Sequence, residues 1–322
     1  MKTVSVLGST GSVGRSTIDL ILSQPDTFSV QVLTAQRNVE LLAAQARQVR
    51  AKKAVIGDES LRETLAELLA GSGIAVAAGR QAVIEAGAVP ADWIMAAIVG
   101  LAGLEPLVAA IRQGTCVAIA NKEPLVSAGP LVMAIARQCG TRLLPVDSEH
   151  NAIFQVFEPE NIAAIERLVL TASGGPFRTW AREQMARATP AQAVAHPNWS
   201  MGAKISVDSA SMMNKALEVI EAHYLFDMPH DKIEVLVHPQ SVIHSMVEYA
   251  DGSFLAQLGA PDMKTPIAHA LAWPQRMPTC GARLDLQQLK HLDFESPDHD
   301  RFPLLPLAYQ CLRAGQGACV TF

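Results

Sequence analysis

At 322 residues the chain is about two domains long, and its 49% hydrophobic and 18% charged residues give it buried cores and exclude intrinsic disorder. A net charge of −5 leaves no basic footprint, which excludes nucleic acid and an anionic membrane surface as partners. The longest apolar stretch, Trp93–Leu104, falls short of the roughly 18–20 residues that cross a bilayer. No signal or transit peptide fits the N-terminus. The five cysteines are scattered and without a CxxC pair, so they read as reduced thiols of a cytoplasmic protein.

Short apolar runs at Val4–Leu7, Val30–Leu33, Ala54–Ile56, Trp93–Val99, Val117–Ala120 and Leu143–Val146 alternate with helical patterns at Ser12–Leu22, Val39–Val49, Leu61–Leu69 and Leu104–Ile111. Continuous rather than alternating apolar strands joined by helices predict a parallel sheet covered on both faces. Right-handed crossovers make this a doubly wound, Rossmann-like α/β domain over residues 1–149. An α+β domain follows over 150–273. It has a strand at Arg167–Thr171, a helix at Ser209–Leu225, and strands at Glu234–Val237, Val242–Tyr249 and Phe254–Leu258, the last two joined by an Asp251-Gly252 hairpin turn. Five prolines between Pro274 and Pro306 mark a linker or wrapping arm. A short helix at Leu304–Arg313 completes the segment 274–322.

The first strand runs into Gly8-Ser-Thr-Gly11-Ser-Val-Gly14 and then a helix. Glycines there let backbone N–H groups approach a pyrophosphate, which the helix dipole favours. The spacing is GxxGxxG, and an ordinary glycine-rich turn is the alternative. The second strand ends in Gln36-Arg37-Asn38, with no acid for a ribose hydroxyl. A guanidinium pairs with a 2′-phosphate, which predicts NADP(H); a merely solvated Arg37 is the alternative.

Asp147 and Glu149 lie two apart at the C-terminal end of a predicted parallel strand, so in extended chain they share a face. Two such carboxylates repel unless a cation or proton lies between them. Glu218 on the Asn214-Lys215 helix adds a third acid, and an oxygen-only set suits Mg²⁺ or Mn²⁺. An Asp-x-Glu pair taken alone is more often a solvated loop, and His150 beside it reads as a packing residue rather than a ligand. Ser173-Gly174-Gly175 has the character of an anion nest. Together with Ser209, Asn214 and Lys215 it would form a phosphomonoester pocket. His196 to Gly202, with Trp199 inside it, reads as a closing loop, and plain packing of the indole is the alternative. Asn121-Lys122-Glu123 follows a strand and falls at the same rim as the acids.

Gly8–Gly14, Ala96–Gly100, Asn121–Glu123, Leu144–Phe154, Ser173–Phe177, His196–Gly202, Met213–Lys215 and His238–His244 closely resemble the motifs of the 1-deoxy-D-xylulose 5-phosphate reductoisomerase family. The resemblance implies an NADPH-dependent enzyme that makes 2-C-methyl-D-erythritol 4-phosphate for isoprenoid synthesis. It implies Asp147, Glu149 and Glu218 as ligands of Mn²⁺ or Mg²⁺, with Co²⁺ also accepted. Lys122, Ser148, Glu149 and His196 would meet the sugar backbone, and Ser173, Ser209, Asn214 and Lys215 its phosphate. Lys122, Asp147, Ser148, Glu149, His196 and Glu218 form the implied catalytic set. Thr10, Gly11, Ser12, Val13, Gln36, Arg37, Asn38, Asn121, Glu123 and Gly202 would line the NADPH site, and Trp199 and Met201 the flap. The enzyme would be a homodimer. Pro124 stands where the family has a serine, while Gln36 and Ala216 stand where it has glycines. Members of the family continue into a C-terminal helical domain, so this chain reads as a truncated or frameshifted form. Two other readings remain: a non-catalytic NADPH-binding remnant, and an NADP sugar-phosphate oxidoreductase without rearrangement.

Overall fold

In the computed structural model, which describes residues 1–199 and 202–322, the chain forms two compact units. The first comprises residues 1–124, 130–147 and 263–280. In chain order it holds β1 (Lys2–Leu7), α1 (Ser12–Leu22), β2 (Phe28–Ala35), α2 (Val39–Gln48), β3 (Lys53–Ile56), α3 (Arg62–Leu68), β4 (Ala75–Ala78), α4 (Arg80–Gly87), β5 (Trp93–Ala96), α5 (Leu104–Ile111), β6 (Cys116–Ile119), α6 (Glu123–Cys139) and β7 (Arg142–Pro145). Residues 125–129 of α6 fall to the second unit. All pairings are parallel, and the strand order is β4-β3-β2-β1-β5-β6-β7. The direction of winding reverses between β1 and β5, the crevice where doubly wound sheets bind ligands.

The continuous apolar runs account for the sheet's centre, where Val4, Val6, Val32, Leu33, Ile94, Met95 and Val117 are fully buried. Helix Lys264–Ala272 returns to this unit, where the buried Trp93 indole donates to the Ala270 carbonyl at 2.9 Å. Three features depart from the sequence reading. The strand expected over Trp93–Val99 ends at Ala96. The β4–α4 pair was not expected: Ala75-Val-Ala-Ala78 has one β-branched residue and forms only an edge strand. Helix α6, disguised by Pro124 and Pro130, runs through with a kink at Ala128.

The second unit comprises residues 125–129, 148–262 and 281–322. It holds α7 (Ser148–Val156), β8 (Ile165–Ala172), two single-turn helices α8 (Arg182–Met185) and α9 (Pro190–Ala193), α10 (Ala203–Ala210), α11 (Met213–Leu225), β9 (Ile233–Val237), β10 (Ile243–Tyr249) and β11 (Phe254–Leu258). The helix expected over Ser209–Leu225 is broken, because Met212 takes a left-handed φ of 60° between α10 and α11. The sheet order is β11-β10-β8-β9, antiparallel except between β8 and β9. Alternate residues face opposite ways. Leu168, Leu170, Val235 and Val247 join Ala216, Val219 and Ile220 of α11 in the main core, and Val169, Ile243 and Met246 form a smaller cluster. Helix Leu304–Ala314 adds Leu305, Ala308 and Cys311 to that main core. The proline-rich arm is pinned by a bridge between Glu295 and Val237 and by a 2.6 Å ion pair between Glu295 and Arg178.

The turn after β1 is the tightest place in the first unit. Gly8 sits at φ 90°, and a Cβ on Gly14 would lie 2.2 Å from the Gly8 carbonyl oxygen. Gly14→Ala is therefore expected to cost about 1–3 kcal/mol of overpacking, read as a fall of several degrees in the thermal unfolding midpoint. An unchanged midpoint would show that the turn has room to relax.

Candidate active site

In the first unit the predicted cofactor residues fall at the C-terminal ends of the strands. The Gly8 N–H donates to Thr34 Oγ1 at 2.9 Å, tying the end of β1 to β2. Gly11 begins α1 in extended conformation and no side chain caps the helix, so the first-turn N–H groups of Ser12 and Val13 are not met by a capping side chain. This cradle, which has no room for a Cβ at Gly14, fits a pyrophosphate. Gln36, Arg37 and Asn38 are exposed after β2, and Asn38 Oδ1 caps α2 by accepting from the Leu41 N–H at 3.2 Å. Asn121 follows β6 and clamps Gly100, its Nδ2 donating to the Gly100 carbonyl at 2.8 Å. It lines a small pocket with Leu7, Ala96, Ile98, Ile119 and Pro124. These lie at or beyond the ends of β1, β5 and β6, so the proline that departs from the family pattern is a wall of this pocket. Lys122 meets Asp147 at 2.5 Å, and both side chains are mostly shielded. Glu123 opens α6.

The second unit contains a dense polar cluster. Ser148 Oγ donates to Glu149 Oε2 at 2.6 Å. Lys215 Nζ donates to Glu149 Oε1 at 2.9 Å and also to Glu218, while Asn214 Nδ2 donates to the other oxygen of Glu218. Spacings of three and four residues put Asn214 and Lys215 beside Glu218 on one face of α11. Glu218 has 0% and Lys215 4% exposure. Burial pushes the Lys215 ammonium down, but Glu149 and then Glu218 outweigh it, and the group is held above the usual lysine range. Carboxylate oxygens of Glu149 and Glu218 come within 4.8 Å of each other. An oxygen-only pair at this separation fits a hard divalent cation.

His150 is fully buried. One ring nitrogen meets the Glu218 carbonyl at 2.9 Å and the other the buried Glu221 carboxylate at 3.3 Å. The sequence reading missed Glu221, although it continues the Lys215–Glu218 stripe by one more turn.

Ser173, His196 and Trp199 also fall in the second unit. Gly174 and Gly175 both adopt positive φ, and a Cβ on Gly175 would lie 2.5 Å from the Ser209 carbonyl oxygen, so only glycine lets the Ser173 turn close onto α10. His196 Nδ1 faces two backbone donors, the N–H groups of Asn198 and Trp199 at 3.2 and 3.0 Å. Nδ1 is therefore the acceptor, and Nε2 carries the proton toward Ser173 Oγ at 2.9 Å. Burial holds the imidazole below its ordinary value, so it is a neutral donor at pH 7. Asn198, unassigned from sequence, ties the loop to the turn after β9. Its Nδ2 donates to the Pro239 carbonyl at 2.6 Å and to Ser241 Oγ at 2.9 Å. The Trp199 ring lies 6.0 Å from that of His244. Gly202 caps α10, and Met201 lies outside the described residues.

Residues 4–129 match the family described as 1-deoxy-D-xylulose 5-phosphate reductoisomerase, residues 143–226 the C-terminal domain of that protein, and residues 258–322 a DXP reductoisomerase C-terminal domain. The reductoisomerase of Rhodospirillum centenum is 63% identical over 318 residues, covering 99% of this chain and 79% of the relative. That of Zymomonas mobilis is 59% identical, covering 98% and 81%. Among solved structures, the Zymomonas mobilis enzyme in complex with NADPH superimposes with a TM-score of 0.94 at 57% identity, over 99% of this chain and 83% of that one. A DOX-P reductoisomerase in complex with NADPH, fosmidomycin and magnesium gives 0.96 at 45% identity, over 99% and 81%.

A divalent ion bound at this pair would compete with the Lys215 ammonium for the same carboxylate oxygens. Lys215→Ala is expected to destabilise the protein by about 3–5 kcal/mol, because Glu218 loses its buried partner. Saturating Mg²⁺ should then raise the melting temperature of the variant more than that of the parent. Equal Mg²⁺ shifts in the two proteins would dissociate the ammonium from the cation site.

Proposed function

Because the chain belongs to the 1-deoxy-D-xylulose 5-phosphate reductoisomerase family, we propose that its polar cluster at Glu149, Lys215 and Glu218 is the centre of that family's reaction. The protein converts 1-deoxy-D-xylulose 5-phosphate to 2-C-methyl-D-erythritol 4-phosphate with NADPH and a divalent metal ion. What carries this reading is the buried Glu149–Lys215–Glu218 arrangement, with Ser148 and Asp147 the next residues along the chain from Glu149.

Asp147, Glu149 and Glu218 hold Mg²⁺ or Mn²⁺, and Co²⁺ satisfies the same donors. When bound, the ion supplies Lewis-acid polarisation of the substrate ketone and NADPH supplies the hydride. The chain's own groups orient the sugar phosphate. Lys122 and Ser148 donate to its hydroxyls. Ser173, Ser209, Asn214 and Lys215 receive its phosphate, for which a hydroxyl cluster with one ammonium is suited. Neutral His196 serves as a hydrogen-bond donor through Nε2, since the Nδ1 lone pair already accepts from two backbone N–H groups. Trp199 covers the site and keeps water from the rearranging carbon skeleton. Thr10, Gly11, Ser12, Val13, Gln36, Arg37, Asn38, Asn121, Glu123 and Gly202 take the NADPH.

Two further assignments belong to this reading. The edge strand β11 exposes Phe254, Leu255 and Leu258 at 47%, 40% and 40%. An apolar edge of this length invites pairing, which supports a homodimer built on the second unit's sheet. No helix among the described residues is long and apolar enough to cross a membrane. The five cysteines are all unbridged, which supports a cytoplasmic location.

With the five-carbon keto-sugar phosphate, NADPH and Mn²⁺, the full chain should yield the branched methyl tetritol phosphate. NADPH binding without oxidation at any Mn²⁺ or Mg²⁺ level would instead identify a remnant, and an unbranched polyol phosphate a different oxidoreductase. Glu218→Gln should reduce turnover by more than the roughly 10–100-fold that loss of an outer-shell partner costs, with NADPH affinity intact; equal loss of both would contradict its role. Phe254→Glu should convert a dimer to a monomer in light scattering after size-exclusion chromatography.

A further inference from the structure

We infer that Asp58 is a positioning residue that sets the preference for a 2′-phosphorylated cofactor by fixing the direction in which Arg37 presents its guanidinium. This rests on the reading that Arg37 meets the 2′-phosphate of NADPH.

The parallel ladder between β2 and β3 runs on beyond the last strand residues. The Gly57 N–H donates to the Ala35 carbonyl at 2.8 Å, and the Asp58 N–H to the Gln36 carbonyl at 2.9 Å. Asp58 is thus locked beside the Gln36-Arg37 peptide by backbone alone. The Gln36 side chain lies across Gly57, its Oε1 2.3 Å from where a Cβ would stand. Both Asp58 oxygens are engaged. Oδ1 accepts from the Ser60 N–H at 3.1 Å and from Ser60 Oγ at 2.6 Å, while Oδ2 accepts from Arg37 Nε at 2.9 Å. The Ser60 hydroxyl first, and then Arg37, hold the Asp58 carboxyl below the usual range, so it is ionised at neutral pH.

The consequence lies in which nitrogen of Arg37 is used. Asp58 takes Nε, and among the described residues no acceptor meets either Nη group of this 79%-exposed side chain. With Nε engaged, the two-Nη edge is the one left to grip a phosphate in a bidentate manner. A long arginine on the surface samples many rotamers, and an anchored Nε removes part of that freedom before the cofactor arrives. A carboxylate close to a phosphate dianion also repels it, so two effects of opposite sign meet at this residue. They separate by substitution. Asp58→Asn keeps the shape and a side-chain oxygen as acceptor but removes the charge, whereas Asp58→Ala removes charge and anchor together.

The test is isothermal titration of the full chain with NADPH and with NADH, in the absence of sugar phosphate. The Asp58→Ala protein is expected to bind NADPH about two- to fivefold more weakly than Asp58→Asn, the scale of one neutral hydrogen bond. NADH affinity should be the same in both, which also reports that the fold is intact. Ser60→Ala, which leaves the Asp58 charge in place and loosens it, should shift NADPH in the same direction by a smaller factor. Equal NADPH affinity in Asp58→Ala and Asp58→Asn, with Arg37→Ala still abolishing the preference for NADPH, overturns the role of Asp58 and leaves that of Arg37 standing. An Arg37→Ala protein with an unchanged preference for NADPH over NADH overturns both.

Discussion

The second unit is organised by one ammonium buried between two carboxylates. Glu218 is entirely removed from solvent, and an ionised carboxylate in that position costs several kcal/mol unless a cation and further donors meet it. Lys215 and Asn214 supply both from the same helix, and Glu149 completes the arrangement from α7. The rest of α11 keeps these groups in register. Ala216, Leu217, Val219, Ile220 and Ala222 are buried around the same helix, so it cannot turn about its axis without exposing apolar surface. His150 adds a second restraint by bonding the Glu218 carbonyl itself. Position is thereby set by packing, and charge is left to do chemistry.

Under the proposed function this one small region would serve a cation and an anion. The two acids carry more negative charge than Lys215 neutralises, which favours a divalent cation. The same ammonium lies one residue from Asn214 and in the unit that holds Ser173 and Ser209, so it is available to a phosphate once the carboxylates are otherwise satisfied. Neither task asks for a strongly perturbed acid or base. His196 agrees with this division, since its geometry makes it a donor and not a proton acceptor.

What could be read from the amino-acid order follows from which interactions are local. The turn from Gly8 to Gly14 and the i, i+3, i+4 set at Asn214, Lys215 and Glu218 are short-range patterns, and they stand in the structure as read. The seven-stranded sheet was legible through its apolar runs except for β4, whose alanines carry little strand preference. The break at Met212 was invisible, because a methionine at φ 60° violates the local rule and is sustained by its buried surroundings. Asp58, Asn198, Ser241 and Glu221 escaped for another reason. Each acts through a partner brought close by sheet pairing or helix packing, and no spacing in the sequence encodes those contacts.

The two sides of the second unit are held by different kinds of interaction, and this difference has functional content. Around α11 the restraint is apolar burial, which is lost only when a large area is exposed to water. Residues 196–199 are tied down by hydrogen bonds instead: His196 to Ser173 and its own loop, and Asn198 to Pro239 and Ser241. Such bonds exchange for water at a net cost of about 1 kcal/mol each. A segment held this way can release and re-form without disturbing the core beneath it. In the proposed function the acids that would hold a metal ion stay in place between turnovers, whereas the loop would admit and release a sugar phosphate. Glu218 on a helix buried among apolar side chains, and residues 196–199 on a handful of polar ties, would meet both demands.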